Sequence, residues 1–173
     1  MSHIILRSFT RNRNYVCTTA FKIYVRPLLE YNTQIWNVGN KGETKRIEQI
    51  QRMFTRKLLQ RTNTKYNDYN HRLEILGMQR LELRRLHRDL ITLYKIIQNQ
   101  IDLSFENLFE LKENTYNLRR HTMNLKTPPV AQTGLMKNSF KYRVIEAWNY
   151  LPNEIVTSKT IAMFKKRFEQ HFT

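Results

Sequence analysis

The sequence predicts a mainly α-helical protein: a helical bundle, then a segment of loop and short β-hairpin, then two C-terminal helices. Glycine and proline number four each among 173 residues, whereas an average chain holds about 12% of the two together. Apolar side chains recur every three or four residues over most of the length, which is the period of an amphipathic helix. Hydrophobic residues make up 40% of the chain, enough for a core.

Two helices are predicted in the first third of the chain. Helical spacing runs from Tyr15 to Trp36, and Pro27 inside it predicts a kink or a break, with Pro27 opening the second piece. A second helix is predicted from Glu43 to Gln60. Its apolar residues lie on one face, and its cations on the opposite face are Lys45, Arg52 and Arg56.

Further helices follow with recognisable ends. Asp68 is a candidate N-cap for a short helix, and Gly77 is a candidate C′ residue to end it. The clearest helical period extends from about Arg80 to Asn99. Within it, leucines repeat every three or four residues, and we expect Arg84, Arg88 and Lys95 to face away from them.

The amino-acid composition of the chain changes at Glu113. Residues 113–137 hold two adjacent prolines, several Asn and Thr, and no sustained helical period, which favours loop and a short β-hairpin of 118–120 with 123–126. Helical order returns over 139–151 and again in a last helix for which Ser158 is the predicted cap. We therefore predict two regions, residues 1–113 and 114–173.

The charge balance predicts a polyanionic partner. Lysine and arginine number 30 against 14 acidic residues, a formal net charge of +16. Cations that meet phosphates release condensed counterions, an attraction independent of nucleic-acid sequence. The sequence shows no long apolar run and no secretory signal, so we expect no membrane partner and an intracellular location, nuclear or cytoplasmic. The single cysteine, Cys17, excludes an internal disulfide and a zinc finger.

No catalytic centre is predicted for this chain, and no cofactor. Two-metal polymerases and nucleases need carboxylates that converge on ions about 4 Å apart. The aspartates here are Asp68, Asp89 and Asp102, no two acidic residues adjoin, and the histidines lack metal-ligand spacing. No glycine-rich loop opens a helix, so the sequence predicts no nucleotide-cradling site either.

Three cationic clusters are the candidate binding residues. They are Arg84-Arg85 with Arg88 and Lys95, Arg52 with Arg56, and Arg119-Arg120-His121. Any one of them could be a solvated helix face whose ion pairs contribute only tenths of a kcal/mol. Three clusters in a chain with too few acids to pair them favour phosphate contact. Tyr66, Tyr116 and Tyr142 fall outside the apolar pattern and could stack on bases.

An ordered series of short motifs resembles the C-terminal part of LINE-type reverse transcriptases of non-LTR retrotransposons, especially the jockey and CR1-like groups. The order and spacing of the motifs across nearly the whole chain carry the resemblance. The principal stretches are Tyr24-Val25-Arg26-Pro27-Leu28-Leu29-Glu30-Tyr31, Ile47-Glu48-Gln49-Ile50-Gln51-Arg52-Met53-Phe54, Arg72-Leu73-Glu74-Ile75-Leu76-Gly77 and Trp148-Asn149-Tyr150-Leu151-Pro152.

The resemblance implies a polymerase thumb and the region that follows it, without fingers, palm or endonuclease. The family's palm motif, an aromatic-Ala-Asp-Asp turn, has no match here, so we expect no polymerase activity from this chain. The implied partners are RNA or an RNA–DNA duplex, and a palm-containing polymerase chain.

From the helix faces we infer which cations bind. Arg52, Arg56, Arg84, Arg85 and Arg88 would be the thumb's phosphate contacts, and Arg119, Arg120 and Lys137 would serve RNA or target DNA. Two alternatives stay open. One is a small basic helical module that binds protein. The other is an element remnant that does not fold stably.

Overall fold

The protein is mainly α-helical, as the sequence predicts. The computed structural model describes residues 1–9, 14–31, 41–112, 121, 123–129 and 139–172. These residues group into two compact units, one between Met1 and Arg85 and one from Leu86 onward. The predicted division after residue 113 stays a prediction, because 113–120 lie outside the described residues. Of the helices in the described ranges, none is long and apolar enough to cross a membrane.

The first unit is built from short helices around one long one. In chain order they are α1 (Ser2–Ser8), α2 (Asn14–Ala20), a π-helical turn (Phe21–Val25), α3 (Arg26–Glu30), α4 (Lys41–Arg61), α5 (Tyr69–Ile75) and the first residues of α6 (Leu81–Ile97). The α4 bounds agree closely with the predicted helix. Helix α1 was not predicted, since it is too short to show a period.

The helical run through Pro27 continues across a widened turn. The amide of Arg26 donates to the carbonyl of Phe21, five residues back, and Pro27 lies in the first turn of α3. A proline in a first turn loses no hydrogen bond, because the first amides of a helix have no intrahelical partner. The second piece therefore begins at Arg26, one residue before the predicted Pro27, and the chain stays helical before it.

One apolar cluster forms the core of the first unit. The rings of Phe21 and Phe54 stack with centroids 4.3 Å apart. Cys17 is buried beside them, and burial raises the pKa of its thiol. The remaining buried members come mostly from α1, α2, the π-helical turn, α4 and α5, and include Ile5, Val25, Leu58, Leu59, Leu73 and Leu76.

Both predicted ends of α5 are confirmed. The carboxylate of Asp68 accepts a hydrogen bond from the amide of His71 at 2.9 Å, which caps the first turn. At the other end Gly77 has φ +55°. Its amide donates to the carbonyl of Glu74 at 3.0 Å, and the next amide, Met78, donates to the carbonyl of Leu73 at 2.8 Å. These two bonds form the Schellman pattern that terminates a helix.

In its described residues, the second unit contains the rest of α6 and four further helices. They are α7 (Phe105–Leu108), α8 (Phe140–Asn149), α9 (Asn153–Val156) and α10 (Ile161–Phe172). The two predicted C-terminal helices are thus present as α8 and α10, with one extra turn between them. The core includes the aromatic residues predicted for it, Trp148, Phe164 and Phe168, together with Leu90, Leu93 and Tyr94.

The predicted β-hairpin of 118–120 with 123–126 is not shown by the described residues. Residues 118–120 lie outside the described residues, and 123–126 pair elsewhere, through one isolated antiparallel bridge between Leu111 and Leu125. The side-chain amide of Asn149 donates to the Leu125 carbonyl and its oxygen accepts from the Leu125 amide, both at 2.8 Å. The side chain of Asn149 on α8 therefore makes the two backbone hydrogen bonds of Leu125 that a neighbouring strand would otherwise make.

Ser158 does not cap the last helix. Its side chain is buried and donates to the carbonyl of Glu154 at 3.3 Å. Thr160 is the cap instead, since its hydroxyl accepts from the amide of Met163 at 3.2 Å. Both residues favour N-caps, so the sequence alone could not choose between them.

Replacing Gly77 tests the left-handed helix end. An added Cβ meets nothing within 4 Å, so Gly77→Ala should destabilise only through the backbone, by about 1 kcal/mol. Gly77→Asn should lose less, because asparagine tolerates this conformation better than alanine. Equilibrium denaturant unfolding measures both. A Gly77→Ala protein as stable as the wild type would contradict the structure at this turn.

Candidate nucleic-acid interface

Helix α4 presents a row of cations on the side away from the core. Lys45, Arg52 and Arg56 are all exposed. Their separations of seven and four residues keep them within about 40° of one another around the helix axis. Phe54 and Leu58, on the opposite side, are buried. We call Lys45, Arg52 and Arg56 the basic face of α4.

The charges of the basic face are not paired with carboxylates in the part of the chain that the structure describes. Arg46, on the flank of the same helix, pairs with Glu43 at 3.0 Å. Other ion pairs among the described residues include Arg84–Glu30, Lys126–Glu110 and Arg143–Asp89. None of them contains a basic-face residue, so this row keeps its positive charge.

A buried polar network on another side of α4 fixes how that helix is rotated. The carboxylate of Glu48 accepts one hydrogen bond from the hydroxyl of Tyr69 on α5 and another, at 3.0 Å, from the amide of Leu81 at the start of α6. The side-chain amide of Gln51 donates to the same Tyr69 hydroxyl and to the carbonyl of Gln79, both at 3.0 Å. We call Glu48, Gln51 and Tyr69 the Glu48 network.

The electrostatics of this network keep each group in its hydrogen-bonding role. Burial, and then the hydrogen bond to Glu48, raise the pKa of Tyr69, so the phenol stays protonated and continues to donate. The Glu48 carboxylate faces the first amide of α6, where the helix dipole favours negative charge. Three helices therefore meet at one carboxylate.

Tyr69 also orients a residue of the basic face. The guanidinium of Arg52 lies 4.1 Å from the centroid of the Tyr69 ring. That of Arg72 lies 5.4 Å from the same ring and 5.0 Å from the ring of Tyr66. Cation–π contacts of this kind contribute about 0.5–1 kcal/mol at exposed sites. Arg52 is therefore held by a neutral partner, which leaves its charge uncompensated.

The arginines predicted as binding residues on α6 do not form an exposed row on one face of the helix. The Nε of Arg84 is 2.5 Å from Oε1 of Glu30, a carboxylate that is 1% exposed. Arg85 is 1% exposed, and Arg88 is half-buried. Arg84 and Arg85 are adjacent in sequence and thus about 100° apart, so they cannot share one outward face. Arg85 instead follows Leu81 by one turn on the buried side.

The remaining predicted residues contribute little to the described surface. Arg119, Arg120 and Lys137 lie outside the described residues, as does Tyr116. His121 is buried, with Nε2 3.0 Å from the carbonyl oxygen of Trp148. The hydroxyl of Tyr142 donates to the carbonyl of Pro129 at 3.1 Å.

A groove beside the basic face contains an arginine that sequence reasoning missed. It has a volume of about 380 Å³ and is lined by Lys45, Gln49 and Arg52 of α4, by Glu48, and by Arg80 and Glu82 at the start of α6. Arg80 was predicted as the first residue of this helix but was not grouped with the cationic clusters, and it lies one residue before the observed start of α6. In the described ranges no three His, Cys, Asp or Glu side chains converge well enough to hold a metal ion.

Comparison with known proteins assigns no family. No family model matches the chain, and no solved structure matches it significantly. A similar curated protein, "Uncharacterized protein B0403.1" of Caenorhabditis elegans, is 25% identical over 96 residues, which cover 56% of this chain and 48% of that protein. The chain thus spans about half the length of the curated relative it matches. The resemblance to reverse transcriptases stays a prediction.

Substitution of Glu48 tests the network behind the basic face. Glu48→Gln removes the charge at the start of α6 and leaves one of two buried donors unmatched, so we expect a loss of about 2 kcal/mol in the free energy of unfolding. Tyr69→Phe deletes one hydroxyl and should cost about 1 kcal/mol. Gln49→Ala, on the exposed side, is the control and should change stability by less than about 0.5 kcal/mol. Equal unfolding midpoints for Glu48→Gln and the control would contradict a structural role for this carboxylate.

Proposed function

We propose that this chain is the thumb and C-terminal segment of a LINE-type non-LTR reverse transcriptase, which binds RNA or an RNA–DNA duplex through the basic face of α4. The observation that carries the proposal is the opposition on α4 between buried apolar residues and three exposed cations that pair with no carboxylate among the described residues. The net charge of +16 supports a polyanionic ligand.

The spacing of the basic face suits a phosphate backbone. A helix rises about 1.5 Å per residue, so Arg52 lies about 6 Å from Arg56 along the axis and about 10 Å from Lys45. Each cation can therefore meet a different phosphate. Such contacts position a nucleic acid without reading its bases, which is what a duplex-holding element requires.

The family part of the proposal rests on the order and spacing of the motifs in the sequence, and several motif residues also have structural roles in this chain. The stretch 47–54 supplies both the inward carboxylate of Glu48 and the outward guanidinium of Arg52. The stretch 72–77 ends with the left-handed Gly77. In 148–152 the indole of Trp148 donates to the carbonyl of Met123 at 2.9 Å. Glu48, Arg52 and Gly77 belong to the unit that contains the basic face, and Trp148 belongs to the core of the other unit.

The proposal assigns no catalytic centre and no cofactor to this chain. The catalytic aspartates would come from a palm-containing polymerase chain, which is the proposed protein partner. Metal-dependent primer extension by the purified chain alone would contradict this part of the proposal.

Binding should depend steeply on salt and on the basic face. We expect the affinity for a short RNA–DNA duplex to fall with salt, with the slope of log K against log[salt] set by the number of phosphates neutralised. Arg52→Gln with Arg56→Gln should reduce that slope by about two and weaken binding roughly tenfold. Fluorescence anisotropy across a salt series measures both quantities.

The matched control is Arg46→Gln with Lys57→Gln. These residues are exposed on the same helix but lie about 100° or more from Lys45 around the axis, and the charge change is identical. Equal losses in the two double variants would contradict a specific basic face, and a slope near zero for the wild type would exclude phosphate contact.

A protein-interaction module is the second candidate, and one surface favours it. Ile23, Tyr24 and Leu28 are 58%, 65% and 60% exposed on the helical run through Pro27. Exposed apolar side chains grouped in this way are typical of protein contacts. Under this alternative, Leu28→Asp disrupts association with a protein partner while the basic-face variants leave it intact. A cooperative thermal transition by circular dichroism would contradict the third reading, an element remnant that does not fold.

A further inference from the structure

We propose that the groove between α4 and the start of α6 is a binding site for a single phosphate group, with Arg80 and Arg52 as its principal ligands and Lys45 at its edge. This inference rests on the proposed function, because the phosphate that it assigns to the groove belongs to the bound nucleic acid. The inference adds Arg80 to the residues of the basic face. It also places one bound phosphate in the groove, which the basic face alone does not do.

Both guanidinium groups of the groove are held in place by neutral partners. Arg80 donates from Nε and Nη2 to the side-chain oxygen of Asn70, at 3.0 Å and 2.7 Å. Arg52 lies over the ring of Tyr69 at 4.1 Å. A neutral partner fixes the direction of a guanidinium and leaves its full charge for a ligand. Fixed cations lose little conformational entropy when an anion binds, which favours affinity.

Two carboxylates, Glu48 and Glu82, line the groove beside its three cations. Glu48 is 7% exposed, and its two oxygens accept from Tyr69 and from Leu81. The first amide of α6 is thereby occupied, so the phosphate would be bound by side chains and not by the helix terminus. Glu82 is exposed. Both carboxylates oppose an anion, and three cations against two carboxylates leave the lining with a net positive charge.

The size of the groove and the polar groups around it suit a small anion. Its volume of about 380 Å³ is near the lower end of small-ligand sites. Its lining side chains carry charges, an amide and, in Thr44, a hydroxyl. Guanidinium forks match the geometry of phosphate oxygens and bind them through two parallel hydrogen bonds. One nucleotide phosphate therefore fits the space and the donors available.

The first experiment uses pyrophosphate alone, so that the site is tested apart from nucleic-acid binding. At constant ionic strength, millimolar pyrophosphate should raise the melting temperature of the wild-type protein by a few degrees and that of Arg80→Gln by much less. Arg46→Gln, which removes an exposed arginine away from the groove, should respond like the wild type. Identical shifts in Arg80→Gln and the wild type would overturn the site. Circular dichroism confirms that each variant is folded.

The second experiment measures duplex binding by anisotropy in three variants. Arg80→Gln should weaken binding about fivefold and lower the salt slope by about one. Glu82→Gln should tighten binding severalfold, because it removes a repulsive charge, and Arg46→Gln should change it little. An Arg80→Gln protein with unchanged affinity and slope would overturn the assignment of a nucleic-acid phosphate to the groove.

Two further comparisons separate the sources of failure. Oligonucleotides with a 5′-phosphate and with a 5′-hydroxyl distinguish a terminal phosphate from an internal one, since only a terminal ligand makes affinity depend on that group. If the wild type binds pyrophosphate through Arg80 but shows no salt-dependent duplex binding, the groove is an anion site and the proposed function fails. If duplex binding is steeply salt-dependent and Arg80→Gln has no effect in either experiment, the groove inference fails alone.

Discussion

The buried carboxylate of Glu48 connects three helices of the first unit. It accepts from Tyr69 on α5 and from the first amide of α6, and it projects from α4 itself. Because a buried carboxylate is costly unless its oxygens are satisfied, these two contacts fix the rotation of α4 about its axis. That rotation turns Lys45, Arg52 and Arg56 toward solvent. The exposure of the proposed ligand surface thus depends on a contact that a buried side of the same helix makes.

The parts of the fold that could be predicted from the sequence are those set by the spacing of apolar residues along a helix and by capping residues near its ends. Helix α4, with apolar residues on one side and cations on the other, follows from a spacing that repeats over several turns. Asp68 and Gly77 mark the ends of α5 because a cap acts within a few residues. The core aromatics Trp148 and Phe164 were predicted for the same reason. Arg52 and Arg56 were found because their helix has a clear period.

The contacts that the sequence did not predict join distant residues. Arg84 pairs with Glu30 and Arg143 with Asp89, each across a separation of 54 residues. Arg85 was expected among outward cations, yet a helix packed on more than one side buries residues next to its leucine stripe. Arg80 was missed as a binding residue because it lies at the very start of its predicted helix, apart from the cationic clusters, and because its partner Asn70 belongs to another helix. The missed part of the candidate site is therefore the part built by tertiary contacts.

The most direct test of the central claim is a nuclear magnetic resonance titration of the whole chain with a short RNA–DNA duplex, monitoring arginine Nε–H and lysine Nζ signals. Binding on the outward side of α4 predicts that the largest changes fall on Lys45, Arg52, Arg56 and Arg80, while the buried Arg85 signal moves little. Changes confined to the exposed apolar residues of the helix through Pro27, or spread evenly over all exposed cations, would contradict it.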